Sequence, residues 1–177
     1  MLLFYATRDG QSRRIAERIA ARLAEAGIGA TALDLAEKLP AAGDLARACL
    51  LVVIASVRYG YPLPESERLI SLYNALPDPP RLALASVNLT ARKPNKNTAQ
   101  TNPYLRKWIK RRKLNPALAT AFAGCLDYPH YRWIDRQIIR LIMTMTGGET
   151  DPKAQIEYTN WGAVDAFAAQ IIALIAG

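Results

Sequence analysis

The stretch Leu3-Phe-Tyr-Ala-Thr-Arg-Asp-Gly-Gln-Ser-Arg-Arg-Ile-Ala-Glu-Arg-Ile19 decides how the rest of the chain is read. It begins inside Met1-Leu-Leu-Phe-Tyr-Ala6, an apolar run without alternation. Such a run predicts a strand buried on both faces of a sheet. A polar turn follows at residues 7–12. Ile15, Ala16, Ile19, Ala20 and Leu23 then recur at helical spacing, and Gly27 is placed to end that helix. The turn offers hydroxyls at Thr7 and Ser12, a flexible Gly10 and the free N–H groups of a helix start. Unpaired donors at the positive end of a helix dipole suit an anion such as a phosphate. On loop chemistry alone, Thr7 and Ser12 serving only as helix caps is an equal reading. The Gly-Lys-Ser/Thr of a Walker motif and the G-x-G-x-x-G dinucleotide fingerprint are both absent from the sequence.

Working outward, residues 31–35 read as a short second strand and Cys49-Leu-Leu-Val-Val-Ile-Ala55 as a strong third. A loop rich in Tyr, Gly and Pro spans residues 56–64, and a helix is predicted over about 65–76. Residues 81–87 form a fourth strand and 117–126 a fifth. Helices are predicted near 135–146 and 161–176. Strands alternating with helices imply a parallel sheet covered on both faces. The expected fold is α/β, a doubly wound five-stranded parallel sheet in the order 2-1-3-4-5, as a single domain over residues 1–177. Ligands in such sheets bind beyond the carboxyl ends of the strands, where the order reverses. Three loops gather there. They carry Thr7, Arg8, Asp9, Gly10, Gln11 and Ser12; then Ser56, Val57, Arg58, Tyr59 and Gly60; then Ser86, Val87, Asn88 and Leu89. Leu126, Asp127 and Tyr128 are expected to close the other side. Tyr59 is placed to stack on an aromatic ligand, and Gly60 to let backbone approach its edge, unless Tyr59 is merely a surface residue of a turn.

The chain has 177 residues, 23 basic and 15 acidic, for a net charge of +8. Apolar residues make up 51% and charged residues 21%, which excludes a disordered chain. No acidic residue occurs between Asp78 and Asp127. Within that gap, the window from Arg92 to Lys113 alone carries nine cations: Arg92, Lys93, Lys96, Arg106, Lys107, Lys110, Arg111, Arg112 and Lys113. Without them 14 basic residues face 15 acidic ones, so the rest of the chain is near neutral. The excess belongs to one basic insert, about residues 90–116, between strands four and five. Cys49 and Cys125 lie in apolar runs and are expected to be buried and unpaired. One histidine and no Cys or His pair at ligand spacing argue against a metal site. The longest apolar stretch, residues 48–57, is far short of the roughly 20 residues that span a bilayer. With no signal-peptide pattern at the start, a cytoplasmic location is expected.

The opening stretch resembles the FMN-phosphate signature of flavodoxins, with Ser12 in place of a threonine. Across essentially the whole chain the sequence is similar to the menaquinone-dependent protoporphyrinogen IX dehydrogenases of bacterial haem synthesis. The segments that carry this are Thr7-Arg-Asp-Gly-Gln11, Ser56-Val-Arg-Tyr-Gly60, Ser86-Val-Asn-Leu-Thr-Ala-Arg-Lys-Pro94, Gln100-Thr-Asn102, Tyr128-Pro-His-Tyr-Arg-Trp133, Gly147-Gly-Glu-Thr-Asp151 and Tyr158-Thr-Asn-Trp161. His130 stands where that family is expected to carry arginine. The resemblance implies FMN as cofactor in the three loops above. It implies oxidation of protoporphyrinogen IX in two-electron steps, with electrons passed to menaquinone or ubiquinone. Arg92, Lys93 and Arg132 are then expected to meet the two propionates of the substrate. Basic surroundings favour an anionic reduced flavin, so a potential above that of acidic flavodoxins is expected. Alternatives are an NAD(P)H:quinone reductase, a soluble flavodoxin electron carrier, or a flavodoxin fold without FMN that serves as an interaction protein.

Within the insert, Leu105, Trp108 and Ile109 share one helical stripe flanked by basic residues. That pattern predicts an interfacial helix, with Arg106, Lys107, Trp108, Lys110 and Arg111 contacting an anionic membrane surface. The competing reading is an ordinary helix packed on the sheet through Trp108. Nucleic acid is not expected as a partner, since the cofactor motif would then have no purpose. The expected location is peripheral, on the cytoplasmic side of the inner membrane. A homo-oligomer is left open by the sequence. Residues 137–145 are apolar on most sides and read as a core helix, with a quinone-facing or membrane-facing surface as the alternative.

Overall fold

The computed structural model describes residues 1–131 and 133–177. The first apolar run forms β1 (Leu2–Ala6), and the helical repeat after it forms α1 (Gln11–Glu25). β2 (Ala32–Asp34) and a short α2 (Ala42–Arg47) lead to β3 (Leu50–Arg58). A two-residue β4 (Tyr61–Pro62), α3 (Pro64–Asn74) and β5 (Arg81–Val87) follow. β5 passes through a 310 turn (Leu89–Arg92) to α4 (Pro103–Arg112) and β6 (Leu118–Phe122). The chain continues through β7 (Cys125–Asp127), a 310 turn (Tyr128–His130), α5 (Trp133–Thr146), β8 (Gln155–Glu157) and α6 (Trp161–Ala176). The parallel strands pair in the order β2-β1-β3-β5-β6, the reversing order expected of a flavodoxin-like sheet.

Period-two alternation divides the core of the sheet. Leu51, Val53 and Ala55 of β3 face one layer, where α3 and α4 pack with Leu69, Ile70, Leu105 and Trp108. Leu50, Val52 and Ile54 face the other, where α1 and α6 supply Ile15, Ile19, Val164 and Phe167. Asp165 of α6 accepts paired hydrogen bonds from Arg18 and Arg22 of α1 at 2.7–3.0 Å. Hydrogen bonds from Arg18 and then Arg22 hold the Asp165 carboxyl well below the usual carboxylate range.

Several elements depart from the sequence reading. β3 continues to Arg58 and turns back on β4, pairing Arg58 with Tyr61, so the expected loop is a hairpin. The fifth strand is two: β6 ends at Phe122, and β7 leaves the sheet to pair antiparallel with β8. α2 carries no long apolar repeat that would have marked it. Cys49 is exposed at the rim of the sheet and Cys125 is half-buried; both are free.

The largest correction concerns Trp108. Its side chain is 1% exposed and sits in the core with Leu105. Parallel strands need a crossover to cover the sheet, and α4 is that crossover between β5 and β6. Its apolar stripe is spent on the sheet, so Trp108 is not a membrane contact. Asn102 caps α4 by accepting from the Tyr104 and Leu105 N–H groups, and Pro103 fills the first turn. Arg111 and Arg112 both pair with Glu67 of α3, and Lys107 lies over the Tyr61 ring at 4.6 Å. Arg106, Lys107 and Lys110 remain on the outer side of α4.

α5 is the converse. It rests on a small cluster through Met143 and Ile139 against Leu126, Tyr128 and Tyr131. Trp133, Ile134, Leu141, Ile142 and Met145 stay exposed. The expectation of a core helix over residues 137–145 is therefore met on one face only.

Candidate functional site

At the carboxyl ends of β1, β3 and β5 the three loops enclose a cavity of about 520 Å3. Arg8, Asp9 and Gln11 line it from the first loop, residues 56–60 from the second, and Val87, Asn88, Leu89 and Thr90 from the third. Gly124, Cys125, Tyr104 and Tyr131 complete the walls, and Ile139 and Ile142 of α5 form the roof.

The first loop is built for an anion. Gly10 sits in the left-handed region at φ 82° and starts α1, and no side chain among the described residues caps that helix. Its first N–H groups are thus left for a ligand. Thr7 Oγ1 is buried with no hydrogen-bond partner among the described residues. A buried hydroxyl without a partner costs roughly 1–3 kcal/mol, which a phosphate oxygen in the loop would relieve. Ser12 does not cap either: its hydroxyl pairs with that of Ser56 at 2.7 Å, tying the first loop to the second. Gln11 is turned toward β8, donating to Glu157 and Thr159.

The second loop is a tight hairpin turn. Tyr59 (φ 52°) and Gly60 (φ 84°) are both left-handed, as a two-residue turn of primed type requires. Glycine bears this without cost, while Tyr59 is strained. Tyr59 donates from its hydroxyl to Asp135 of α5. The Arg58 guanidinium contacts Asp135 at 2.5 Å and Asp9 at 3.6 Å. Burial raises the Asp9 carboxyl above its ordinary pKa, with Arg58 opposing that shift. Arg58, Tyr59 and Asp135 so fasten α5 across the cavity edge. The same wall bounds a neighbouring cavity of about 620 Å3, lined by Arg8, Tyr61, Pro62 and Asp135 among others.

The third loop differs from expectation in detail. Asn88 does reach the cavity, but its amide is engaged: it donates to Ser86 and Asn102, and its oxygen accepts from Asn102 and the Ala91 N–H. Ser86 is fully buried. Asn102, which the sequence marks only within the resemblance segment Gln100-Thr-Asn102, thus links the start of α4 to the site. Leu126 and Tyr128 are fully buried in the α5 cluster, and Asp127 accepts from Gln155. None of these three lines the cavity. The break after β6 swings them away, and Cys125 and Gly124 take the place expected for them. Tyr131, to which the sequence assigns no site role, donates to the Cys125 carbonyl, and burial pushes its phenol up to about 12. Arg92 and Lys93 stand at the cavity rim and at a second hollow beside Gly148 and Tyr158. Arg132 lies outside the described residues.

A flavodoxin-domain family model matches residues 2–153. The chain is 40% identical over 175 residues to the protoporphyrinogen IX dehydrogenase (quinone) of Escherichia coli strain K12, covering 96% of this chain and 93% of that protein. It is 38% identical over 177 residues to the protein of the same name from Leishmania major, covering 98% of this chain and 74% of that one. The solved oxidised flavodoxin of Bacillus cereus has the same fold, with a TM-score of 0.50 at 11% identity over 69% of this chain and 82% of that one. On the fold, the cavity and these matches along nearly its whole length, the chain belongs to the flavodoxin-domain protoporphyrinogen IX dehydrogenases, a family of oxidoreductases.

Proposed function

We propose that the cavity binds FMN and that the chain oxidises protoporphyrinogen IX, passing the electrons to a membrane quinone, menaquinone in the first instance. The observation that carries this is the buried, unpartnered Thr7 hydroxyl beside the uncapped start of α1, at the edge of a cavity large enough for a flavin. The name and 93% coverage of the Escherichia coli relative support the substrate pair. When bound, FMN supplies a two-electron acceptor and donor that no side chain can replace.

The chain's own residues bind and orient. Thr7, Gly10 and the first turn of α1 would hold the phosphate. The Tyr59-Gly60 turn, the Val87–Leu89 backbone and Gly124-Cys125 line the cavity and would flank the ring. Arg92 and Lys93 offer cations to the propionates at the rim. Tyr131, with its raised pKa, stays a neutral phenol across the working range and places no charge beside the ring. Ile139 and Ile142 exclude water from above. The reaction serves haem synthesis, and the protein works as a peripheral component on the cytoplasmic side of the inner membrane.

Anaerobic mixing of the FMN-loaded protein with protoporphyrinogen IX tests this. Flavin absorbance is expected to bleach and to recover on adding a menaquinone analogue. Bleaching by NADH but not by protoporphyrinogen would replace the reading with an NAD(P)H:quinone reductase. Thr7→Val is expected to raise the FMN dissociation constant by about tenfold or more while leaving riboflavin binding unchanged, as loss of one bond to a charged group implies.

A further inference from the structure

Among the described residues, five of the eight large apolar side chains left exposed belong to α5. Ile134, Ile138, Leu141, Ile142 and Met145 recur at i, i+4, i+7, i+8 and i+11, so they form one continuous stripe. Leu141 is 62% exposed and Met145 78%. No charged residue interrupts the stripe. The helix's one acid, Asp135, is held by Arg58 away from it. Its two bases, Arg136 and Arg140, lie on the flank nearer the packed face, and Arg136 is steadied by the Tyr128 and Pro129 carbonyls.

We infer that α5 is the element by which this protein lies on an anionic lipid surface. The stripe enters the boundary between headgroups and acyl chains, and Trp133 sits at the headgroup level. Three observations favour lipid over protein. The chain carries +8, so a second copy is repelled where an anionic leaflet is attracted. The helix has 14 residues; at a 1.5 Å rise it is about 21 Å long, and a strip about 10 Å wide offers roughly 200 Å2. A stable dimer takes about 800 Å2 from each partner. The stripe is also continuous with the cavity, because Ile142 belongs to both. An apolar quinone can then pass from lipid to the cavity without crossing water. No helix among the described residues is long and apolar enough to cross a membrane, so the contact is made lying flat.

This deepens the proposed function and rests on it for the quinone alone. The test uses the full chain loaded with FMN and flotation with vesicles of phosphatidylglycerol and phosphatidylcholine in equal parts. The wild-type protein is expected to float. The triple variant Ile134→Gln, Leu141→Gln, Met145→Gln is expected to bind roughly a hundredfold or more weakly, since burying even one such side chain is worth about tenfold. It is expected to retain FMN and to reduce a water-soluble quinone at the wild-type rate. Lys110→Glu on α4 is expected to change binding by less than about fivefold, one charge near the surface being worth roughly 1 kcal/mol. In the wild-type protein, Trp133 emission is expected to shift to the blue with vesicles, a change absent from Trp133→Phe. Equal flotation of the triple variant would overturn the inference, as would loss of binding in Lys110→Glu alone. So would concentration-dependent dimers that the triple variant abolishes in the absence of vesicle binding. If vesicles are bound through α5 but protoporphyrinogen fails to bleach the flavin, the surface stands and the proposed reaction falls.

Discussion

α4 and α5 invert what their compositions advertise. α4 carries five basic residues in ten, yet its Leu105 and Trp108 are buried and two of its arginines are spent on Glu67. α5 is the more apolar helix, yet most of its large apolar side chains face outward. Position in the chain explains the difference. α4 joins two neighbouring parallel strands and must cover the sheet between them. α5 comes after the last strand of that sheet, on a ribbon that has left it, and packs on a small cluster around Leu126, Tyr128 and Tyr131 rather than on the sheet. A charged helix can therefore be core and an apolar one surface, and topology decides which.

The contrast can be broken most severely at Trp108. Trp108→Ala is expected to lower stability by about 3–5 kcal/mol in urea unfolding, the usual cost of such a cavity. Trp108→Phe should cost less, because it also removes an indole N–H with no partner among the described residues. A near-normal midpoint with vesicle binding lost would mean that Trp108 faces lipid after all. Next comes Asn102→Ala, which removes the α4 cap and the partner of Asn88. A loss of about 1–3 kcal/mol is expected, with weaker FMN binding measured by fluorescence titration. Asp135→Asn loosens α5 from Arg58 and Tyr59. It should speed FMN release by several-fold in a chase experiment and lower the unfolding free energy by about 1–3 kcal/mol, because the pair with Arg58 is largely buried; equal release rates would show that α5 does not close the cavity. The smallest effect is expected from Glu67→Gln, within about 1 kcal/mol, because the pairs with Arg111 and Arg112 are partly exposed. Freeing two arginines on α4 should change vesicle binding by less than about fivefold if α5 makes the contact.

The sequence made the sheet legible because β1, β3 and β5 are short apolar runs between helical repeats, the pattern of doubly wound α/β sheets. The first loop was equally readable, since Gly10 and the hydroxyls lie within six residues of a strand end. The hairpin after β3 was not: Tyr59 occupies a left-handed position where glycine or asparagine would have announced the turn. The split of the fifth strand was hidden because residues 117–126 stay apolar through Ala123 and Gly124, and apolarity alone does not show that the partner strand changes. Trp108 was misjudged because a basic helix with one apolar stripe looks the same whether the stripe meets a sheet or a lipid. Asn102 and Tyr131 lie in segments that carry the family resemblance, but their roles rest on the contact with Asn88 and on burial, which no local pattern announces.

The grip of Arg18 and Arg22 on Asp165 ties the anion loop to a remote stretch of sequence. α1, whose first turn forms that loop, beds against α6 through Ile15, Ile19, Val164 and Phe167. The loop is therefore braced by a carboxylate 147 positions from Arg18 and 143 from Arg22. A change that loosens α6 reaches the first loop without touching any residue that lines the cavity.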